Sequence, residues 1–198
     1  MKHLKSYKIF ENKQTDEEIY ELCKKYRIEN YTINEDKSID VDGYVGLYDR
    51  GLDKLPLKFR NVSGYFSCSW NNLTTIDGGP ETVGGNFLCS HNKLTTLEGS
   101  PRRVNGDFNC YGNKNLMSLE GITPTIHGDL YCYDTPFFYF WKEFLNQDKS
   151  LIDSFVEEWD VIHKDTVIIE VLEGWMKDNN INVEIDIEKI KSLGYKIG

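Results

Sequence analysis

The sequence predicts an α/β protein: a short solenoid whose parallel sheet has about five repeat strands, with a cap at each end. Three observations indicate this fold. An aliphatic residue recurs at intervals of 21, 21, 21 and 22 residues, at Val41, Val62, Val83, Val104 and Ile126. Each of these positions is followed by alternating apolar and polar residues, which is typical of a strand. The segments 1–40 and 136–198 lose the repeat and contain helical periodicity instead.

Within each repeat, glycine lies two positions after the aliphatic residue, and two apolar columns follow it. The first column contains Val45, Phe66, Phe87, Phe108 and Leu130. The second contains Leu47, Cys68, Cys89, Cys110 and Cys132. One repeat cannot bury its own apolar face, so the repeats must stack, with parallel strands about 4.8 Å apart and both columns facing inward.

An asparagine follows the cysteine column three residues later in the middle repeats, at Asn71, Asn92 and Asn113. A side-chain amide at such a bend can hydrogen-bond the main chain of its own loop and of the neighbouring repeat. Arg50 replaces the asparagine in the first repeat and Thr135 replaces it in the last. Decay of the pattern at both ends is typical of a capped solenoid.

The core pattern, apolar-x-apolar-x-x-Asn-x-Leu, resembles a leucine-rich repeat in which Phe and Cys take leucine positions. The phrase "VGGNFLCSHNKLTTLEGSP", preceded by "NYTINEDKSIDVDG", resembles uncharacterised leucine-rich-repeat-like accessory proteins of tailed bacteriophages, from about Ile28 to the end of the chain. The resemblance implies a phage-encoded protein that acts on a host protein. It provides no catalytic residues.

The segment 1–40 is predicted to be an N-terminal cap made of a helix and a hairpin. Thr15 and Glu18 have the spacing of a capping box, and the following residues form an apolar helical stripe. The sequence "YTINEDKSIDVDG" alternates on both sides of a charged turn, which indicates a hairpin that leads into the first repeat.

After the solenoid, 41–135, the segment 136–198 is predicted to be a helical cap. Its helical signals are "FFYFWKEFL", a stripe over 151–159, a stripe over 168–176, and "DIEKIKSLGYKI", in which Gly194 ends a helix before a final strand. No linker composition separates the three parts, so we expect them to form one cooperative unit.

The net charge of −9 comes mainly from the C-terminal third, where residues 134–198 contain fourteen acids and seven bases. Such a balance argues against binding to nucleic-acid backbones or to anionic membranes, both of which need clustered Lys and Arg. The opening residues "MKHLKSYKIFENK" lack the apolar stretch of a secretory signal, and the sequence contains no run of about 18 uncharged apolar residues, so we expect neither a signal peptide nor a membrane span. We expect a cytoplasmic protein, located in the host cytoplasm for a phage-encoded chain.

The sequence contains no recognisable catalytic motif, and we expect neither enzyme activity nor a cofactor. The four cysteines of one column would form a ladder rather than converge on a metal ion, so they are predicted to be small buried apolar residues. An enzyme that uses the acidic C-terminal segment would need a bound metal or a carboxylate-lined pocket.

The outward residues of the repeat strands are the candidate binding surface, because they are rich in tyrosine on a rigid sheet. The predicted partner-binding residues are Tyr44, Tyr48, Tyr65, Trp70, Leu88, His91, Asn109, Tyr111, Tyr131 and Tyr133. Two interpretations stay open, because sheet surfaces favour tyrosine without any partner and the C-terminal helices could cover part of this face.

The sequence therefore favours a non-enzymatic protein-protein interaction module that binds a host defence or regulatory protein through its concave repeat face. The alternative is a structural or self-assembling protein, a homo-oligomer held by Phe137, Phe138 and Trp141.

Overall fold

The computed structural model describes residues 14–122, 125–144, 161–163, 165–179, 181 and 184–198. Helix α1, Asp16–Tyr26, begins at a capping box: the Thr15 hydroxyl accepts the Glu18 N–H, and the Glu18 carboxylate accepts the Thr15 N–H. The helix buries Ile19, Cys23 and Tyr26 against the first repeat. Strands β1, Tyr31–Ile33, and β2, Ser38–Val41, form the predicted antiparallel hairpin.

The repeats form two parallel sheets, which confirms the predicted solenoid and adds a second sheet to it. The front sheet has the order β10-β9-β7-β5-β3 and is built from the Phe and Cys columns. Its strands are β3 Val45–Gly46, β5 Phe66–Ser67, β7 Phe87–Leu88, β9 Phe108–Asn109 and β10 Leu130–Tyr131. The back sheet has the order β1-β2-β4-β6-β8, with β4 Lys58–Val62, β6 Thr82–Val83 and β8 Arg103–Val104.

The glycine column forms the corner between the two sheets. A Cβ atom at Gly85 would lie 3.0 Å from the backbone nitrogen of Tyr65 and 3.1 Å from the carbonyl carbon of Gly64. Consecutive turns therefore approach too closely at this corner for any side chain. The back-sheet strands contributed by the middle repeats are only two residues long, too short to show a period-2 pattern in the sequence.

The core between the sheets is a stack of phenylalanine rings. Phe59, Phe66, Phe87 and Phe108 are at most 1% exposed. Along the front sheet, the ring centroids of Phe66 and Phe87 are 5.6 Å apart and those of Phe87 and Phe108 are 5.1 Å apart. Phe59 of the back sheet meets Phe66 edge to face, at 5.1 Å. Stacked and edge-to-face aromatic pairs at these distances stabilise the fold beyond their burial by about 1 kcal/mol each. The predicted inward direction of the phenylalanine column is confirmed.

The asparagine column joins each turn to the previous one. The Asn92 amide donates to the carbonyls of Cys89 and Ser90 in its own turn and of Cys68 in the turn before, at 3.0 to 3.2 Å. Its carbonyl oxygen accepts the N–H of Leu73. Asn71 and Asn113 bond in the same manner. Each side chain thus binds main-chain groups that have left the sheet ladders.

The cysteine column lies beside the rings as uncharged thiols. Cys68, Cys89 and Cys110 have no exposed surface, and Cys132 is 9% exposed. Burial raises the pKa of the Cys68 thiol to about 12 and that of Cys132 to about 11. The pKa values of Cys89 and Cys110 are raised well above that of an ordinary thiol, chiefly by burial. The column behaves as the predicted row of small apolar residues.

The C-terminal cap contains α2 Pro136–Phe144, α3 Ile169–Asp178 and α4 Ile187–Ser192. It also contains a three-stranded sheet that the sequence did not predict, with β11 Ile162–His163, β12 Thr166–Val167 and β13 Lys196–Ile197. The cap contacts the last turn, where the Tyr195 hydroxyl donates to the Met117 carbonyl at 2.5 Å. The predicted stripe over 151–159 lies outside the described residues. None of the helices in the described ranges is long and apolar enough to cross a membrane.

Thr135 shows how the repeat ends. Its hydroxyl donates to the Cys132 carbonyl at 2.7 Å, the bond that asparagine makes in the other turns, and accepts the N–H of Phe138 at 3.0 Å. The same side chain therefore closes the last turn and caps the N-terminus of α2.

Replacing Asn92 by alanine should lower the free energy of unfolding by about 3 kcal/mol, because it leaves a buried N–H and several carbonyls without their partner. Urea denaturation measures this change. The control is Asn86→Ala, an exposed residue whose side chain accepts one N–H from Asp107; it should cost less than about 1 kcal/mol. Equal losses in both variants would contradict the joining role of Asn92.

The raised thiol pKa values predict that stability decreases in alkali. The folded chain keeps its thiol protons while the unfolded chain releases them above about pH 9, so unfolding is favoured as pH rises from there. The difference in unfolding free energy between wild type and Cys89→Ala should shrink by about 1.4 kcal/mol per pH unit above that value. Urea denaturation between pH 7 and 10.5 tests this, and a constant difference would contradict it.

Candidate functional site

The outward side chains of the front sheet form one surface, which we call the front face. Its three rows follow the strand register: 44, 65, 86, 107 and 129; 46, 67, 88, 109 and 131; and 48, 69, 90, 111 and 133. Neighbouring strands are about 4.8 Å apart, so five of them span about 19 Å along the axis. Each of the five repeats therefore contributes one strand to this surface, and parallel pairing holds the five strands in a fixed register.

The first row begins with two tyrosines held face to face. Tyr44 and Tyr65 have ring centroids 5.1 Å apart and an interplanar angle of 13°. They are 61% and 42% exposed. The register that places Val45 beside Phe66 in the core places these two rings beside each other outside it.

Trp70 and His91 lie at the corner where the front sheet ends, and both have a left-handed backbone, with φ of 58° and 50°. This conformation is rare for bulky residues. The corner is nevertheless held, because the Trp70 N–H donates to Ser90 and the His91 N–H donates to Tyr111 in the following turns. A strained backbone at an exposed aromatic residue such as Trp70 is a feature of functional sites.

The corner side chains form a continuous aromatic row. The ring centroids of Trp70 and His91 are 4.0 Å apart, and those of His91 and Tyr111 are 4.6 Å apart. Sequence reasoning missed the left-handed corner. Its signal was present in the other repeats, where Asp49, Gly112 and Asp134 occupy the same position and also have positive φ. Glycine and aspartate tolerate this conformation best.

Between two tyrosines of the third row, the face is lined by serine. Ser69 and Ser90 are 4% and 8% exposed, and the Ser90 hydroxyl lies 3.0 Å from that of Ser69. Tyr48 and Tyr111 flank this pair along the row. The small buried serines therefore separate the large side chains and form a depression between them.

The C-terminal end of the face is aromatic and acidic. The ring centroid of Tyr133 lies 6.0 Å from that of Tyr131 and 5.1 Å from that of Phe138 in α2. The negative charges of Asp107 and Asp129 raise the pKa of the Tyr131 hydroxyl. The surrounding potential is thus negative, which favours positively charged groups on a partner.

All the sequence-predicted site residues lie on the front face or at its corner, although they are not equally exposed. Tyr48, Trp70 and Tyr133 are 54%, 51% and 49% exposed, similar to Tyr44 and Tyr65. The others are half-buried: Leu88, His91, Asn109, Tyr111 and Tyr131. Sequence reasoning missed Tyr139, which is 46% exposed on α2 and packs against Phe138. In the described residues, α2 therefore borders the face instead of covering it.

An open groove of about 530 Å³ lies along the back sheet, and its lining combines polar side chains with Val41, Val62 and Val83. The side chains there bind each other: Arg60 and Asn61 donate to the Asp40 carboxylate, and the Thr82 hydroxyl donates to the Asn61 carbonyl at 2.6 Å. Arg60 also holds the pKa of Asp40 below its usual range. The groups are already paired across adjacent turns, so they stabilise the stack. The neighbouring Asp42 carboxylate likewise accepts the Ser63 hydroxyl of the next turn at 2.9 Å.

Within the described ranges, no three His, Cys, Asp or Glu side chains are grouped closely enough to hold a metal ion. A comparison of the chain with family models, with curated proteins and with solved structures found no match. The resemblance to phage proteins therefore stays a prediction. The front face is the surface on which a functional proposal can be based.

Proposed function

We propose that the protein is a non-enzymatic protein-binding module and that the front face is its binding surface. One observation supports this most: five large aromatic side chains, each 42 to 61% exposed, lie on the front face or at its corner. They are Tyr44, Tyr48, Tyr65, Trp70 and Tyr133. Single exposed aromatic residues are common on proteins, whereas a contiguous group of them marks an interaction surface.

The chemistry of the face suits protein recognition. Tyrosine and tryptophan provide a large contact area with few rotatable bonds, and they dominate the binding energy of many interfaces. The parallel ladder already orders the main chain that carries them. Binding therefore loses little conformational entropy, and more of the contact energy contributes to affinity.

Size and charge describe the expected partner further. A stable interface buries about 800 Å² on each side. The strands of the front face provide a smaller area than this. The face is about 19 Å long along the solenoid axis, and the four residue steps from its first row to its third add only about 13 Å in the strand direction. A globular partner must therefore also contact the corner residues and α2. The acidic end near Asp107 and Asp129 complements basic groups on that partner.

The resemblance to phage accessory proteins supports a host protein, met in the host cytoplasm, as the partner. The self-assembly alternative has lost part of its basis. Phe137 and Trp141 are 0% and 3% exposed, so they belong to the core and not to a surface. In α2, Phe138 is half-buried and Tyr139 is exposed, and a homotypic contact there would depend on these two.

Changing Tyr111 and Tyr133 together to alanine should weaken partner binding by at least about thirtyfold, since each loss removes an aromatic contact worth about 1 to 2 kcal/mol. The partner is first identified by affinity purification from host cells with mass spectrometry. Its dissociation constant is then measured by calorimetry with purified proteins.

The matched control is Tyr20→Ala, because Tyr20 is 55% exposed on α1, where it contacts Tyr31 instead of the front face. It should leave the affinity unchanged. Unchanged affinity in the double variant, with its melting temperature preserved, would exclude the front face as the binding surface.

A further inference from the structure

Strand β3 is the terminal strand of the front sheet, and half of its peptide groups have no neighbouring strand within the part of the chain that the structure describes. The N–H groups of Val45, Leu47 and Asp49 donate to the carbonyls of Tyr65, Ser67 and Ser69 on the β5 side. Peptide groups alternate in direction along a strand. Those of Tyr44, Gly46 and Tyr48 therefore face the open edge.

Among the described residues, no preceding turn packs against the corner glycine of the first repeat. A Cβ atom at Gly64 would lie 2.7 Å from the Gly43 carbonyl oxygen, and one at Gly128 would lie 2.6 Å from the Gly106 carbonyl carbon. A Cβ atom at Gly43, the corresponding corner glycine of the first turn, would have none of the described atoms within 4 Å. Within residues 14–144 as described, no hydrogen bond is made to the Gly46 N–H or carbonyl.

Other sheet ends differ from this one in the elements that follow them. Hairpin strand β1 ends the back sheet with antiparallel pairing. At the opposite end of the front sheet, the chain leaves β10 through Thr135 into α2, and the N–H of Phe137 donates to Leu116. Natural edges are usually protected by lysine, proline or a bulge. The sequence Tyr-Val-Gly-Leu-Tyr of 44–48 contains neither lysine nor proline, and its register with β5 is regular.

The core behind this edge is already closed. Val45 and Leu47 are both 0% exposed and share one apolar cluster with Ile19 and Cys23 of α1. From Gln14 onward, the N-terminal cap therefore contributes to the closed core and to the back sheet, and none of its strands pairs with β3. An incoming strand therefore does not have to complete the apolar core. It needs only to form main-chain hydrogen bonds with β3 and to place its side chains beside those of the edge.

We propose that the β3 edge binds an extended segment of the partner protein as a sixth strand of the front sheet. This inference rests on the proposed function and deepens it, because the edge is continuous with the front face. Strand addition of this kind derives its affinity from main-chain hydrogen bonds and its specificity from alternate side chains.

The pairing between turns indicates which partner sequences can bind at the β3 edge. Between turns, the inward apolar residues of one strand donate N–H groups to the outward residues of the next, as Val45 does to Tyr65. The segment should therefore alternate, with apolar residues that are not proline at the donating positions. An aromatic residue on it can stack on the open face of Tyr44, as Tyr44 stacks on Tyr65. Gly46 leaves space for a side chain between the two edge tyrosines.

The probe is a synthetic peptide with the sequence of residues 61–70, NVSGYFSCSW, carrying Cys68→Ser. Amide exchange of the full chain is followed by NMR. In the free chain, the Gly46 amide should exchange far faster than that of Leu47. Saturating peptide should slow exchange at Gly46 and Tyr48 at least tenfold, whereas a peptide that also carries Phe66→Pro, which lacks one donor, should not.

Two variants separate the edge from the face. Gly46→Pro removes the outward N–H while leaving the β5 ladder intact, a change that edge strands tolerate. Gly46→Ser keeps the N–H and introduces the residue found at position 67 of the next turn. Gly46→Pro should weaken both the peptide and the identified partner at least tenfold, and Gly46→Ser should weaken neither. Melting temperatures verify that both variants fold.

Equal affinities of the two Gly46 variants would overturn the edge proposal. A Gly46 amide that is already protected in the free chain would also overturn it, because the chain itself or a second copy would then occupy the edge. If the Tyr111 and Tyr133 double variant loses the partner and Gly46→Pro still binds it, the edge proposal is wrong and the front face remains the binding surface. If Gly46→Pro loses the partner and the double variant still binds it, the front face is excluded and the edge proposal is supported.

Discussion

The carboxamide of Asn92 bonds main-chain groups of two turns at once, and this contact sets the geometry of everything around it. Because Asn71 and Asn113 repeat it, each turn must lie on the previous one at a fixed offset. The register then aligns phenylalanine with phenylalanine and thiol with thiol in the core. The hydrogen-bonding geometry of one short side chain thus determines the axial order of the solenoid.

The same register determines the surface. Inward positions are restricted by packing, and the corner glycines by close backbone contact, so the outward positions carry most of the freedom to vary between turns. These positions contain tyrosine, serine, leucine, asparagine and aspartate side by side. A repeat that keeps its interior nearly constant and diversifies one face is suited to recognition. The left-handed corner at Trp70 and His91 extends that face beyond the strands.

The long-range order could be predicted from the sequence because a period of 21 residues is visible in single letters, and capping chemistry located α1 to within a residue. The second sheet could not, since two-residue strands carry no periodicity and are formed by stacking alone. The front-face residues were found by counting outward from Phe and Cys. Their exposure was not predictable, because it depends on neighbours such as Tyr111 and on the position of α2.

The two ends of the solenoid are capped in different ways. At the C-terminal end, Thr135 converts the turn into a helix, and α2 borders the face with Phe138 and Tyr139. At the N-terminal end, α1 packs on the apolar core, while the peptide groups of Gly46 bond no other group among the described residues. Covering the core and closing the sheet edge are therefore separate functions of a cap, and α1 with its hairpin performs only the first. A stable core beside an unsatisfied edge is the combination that strand addition requires.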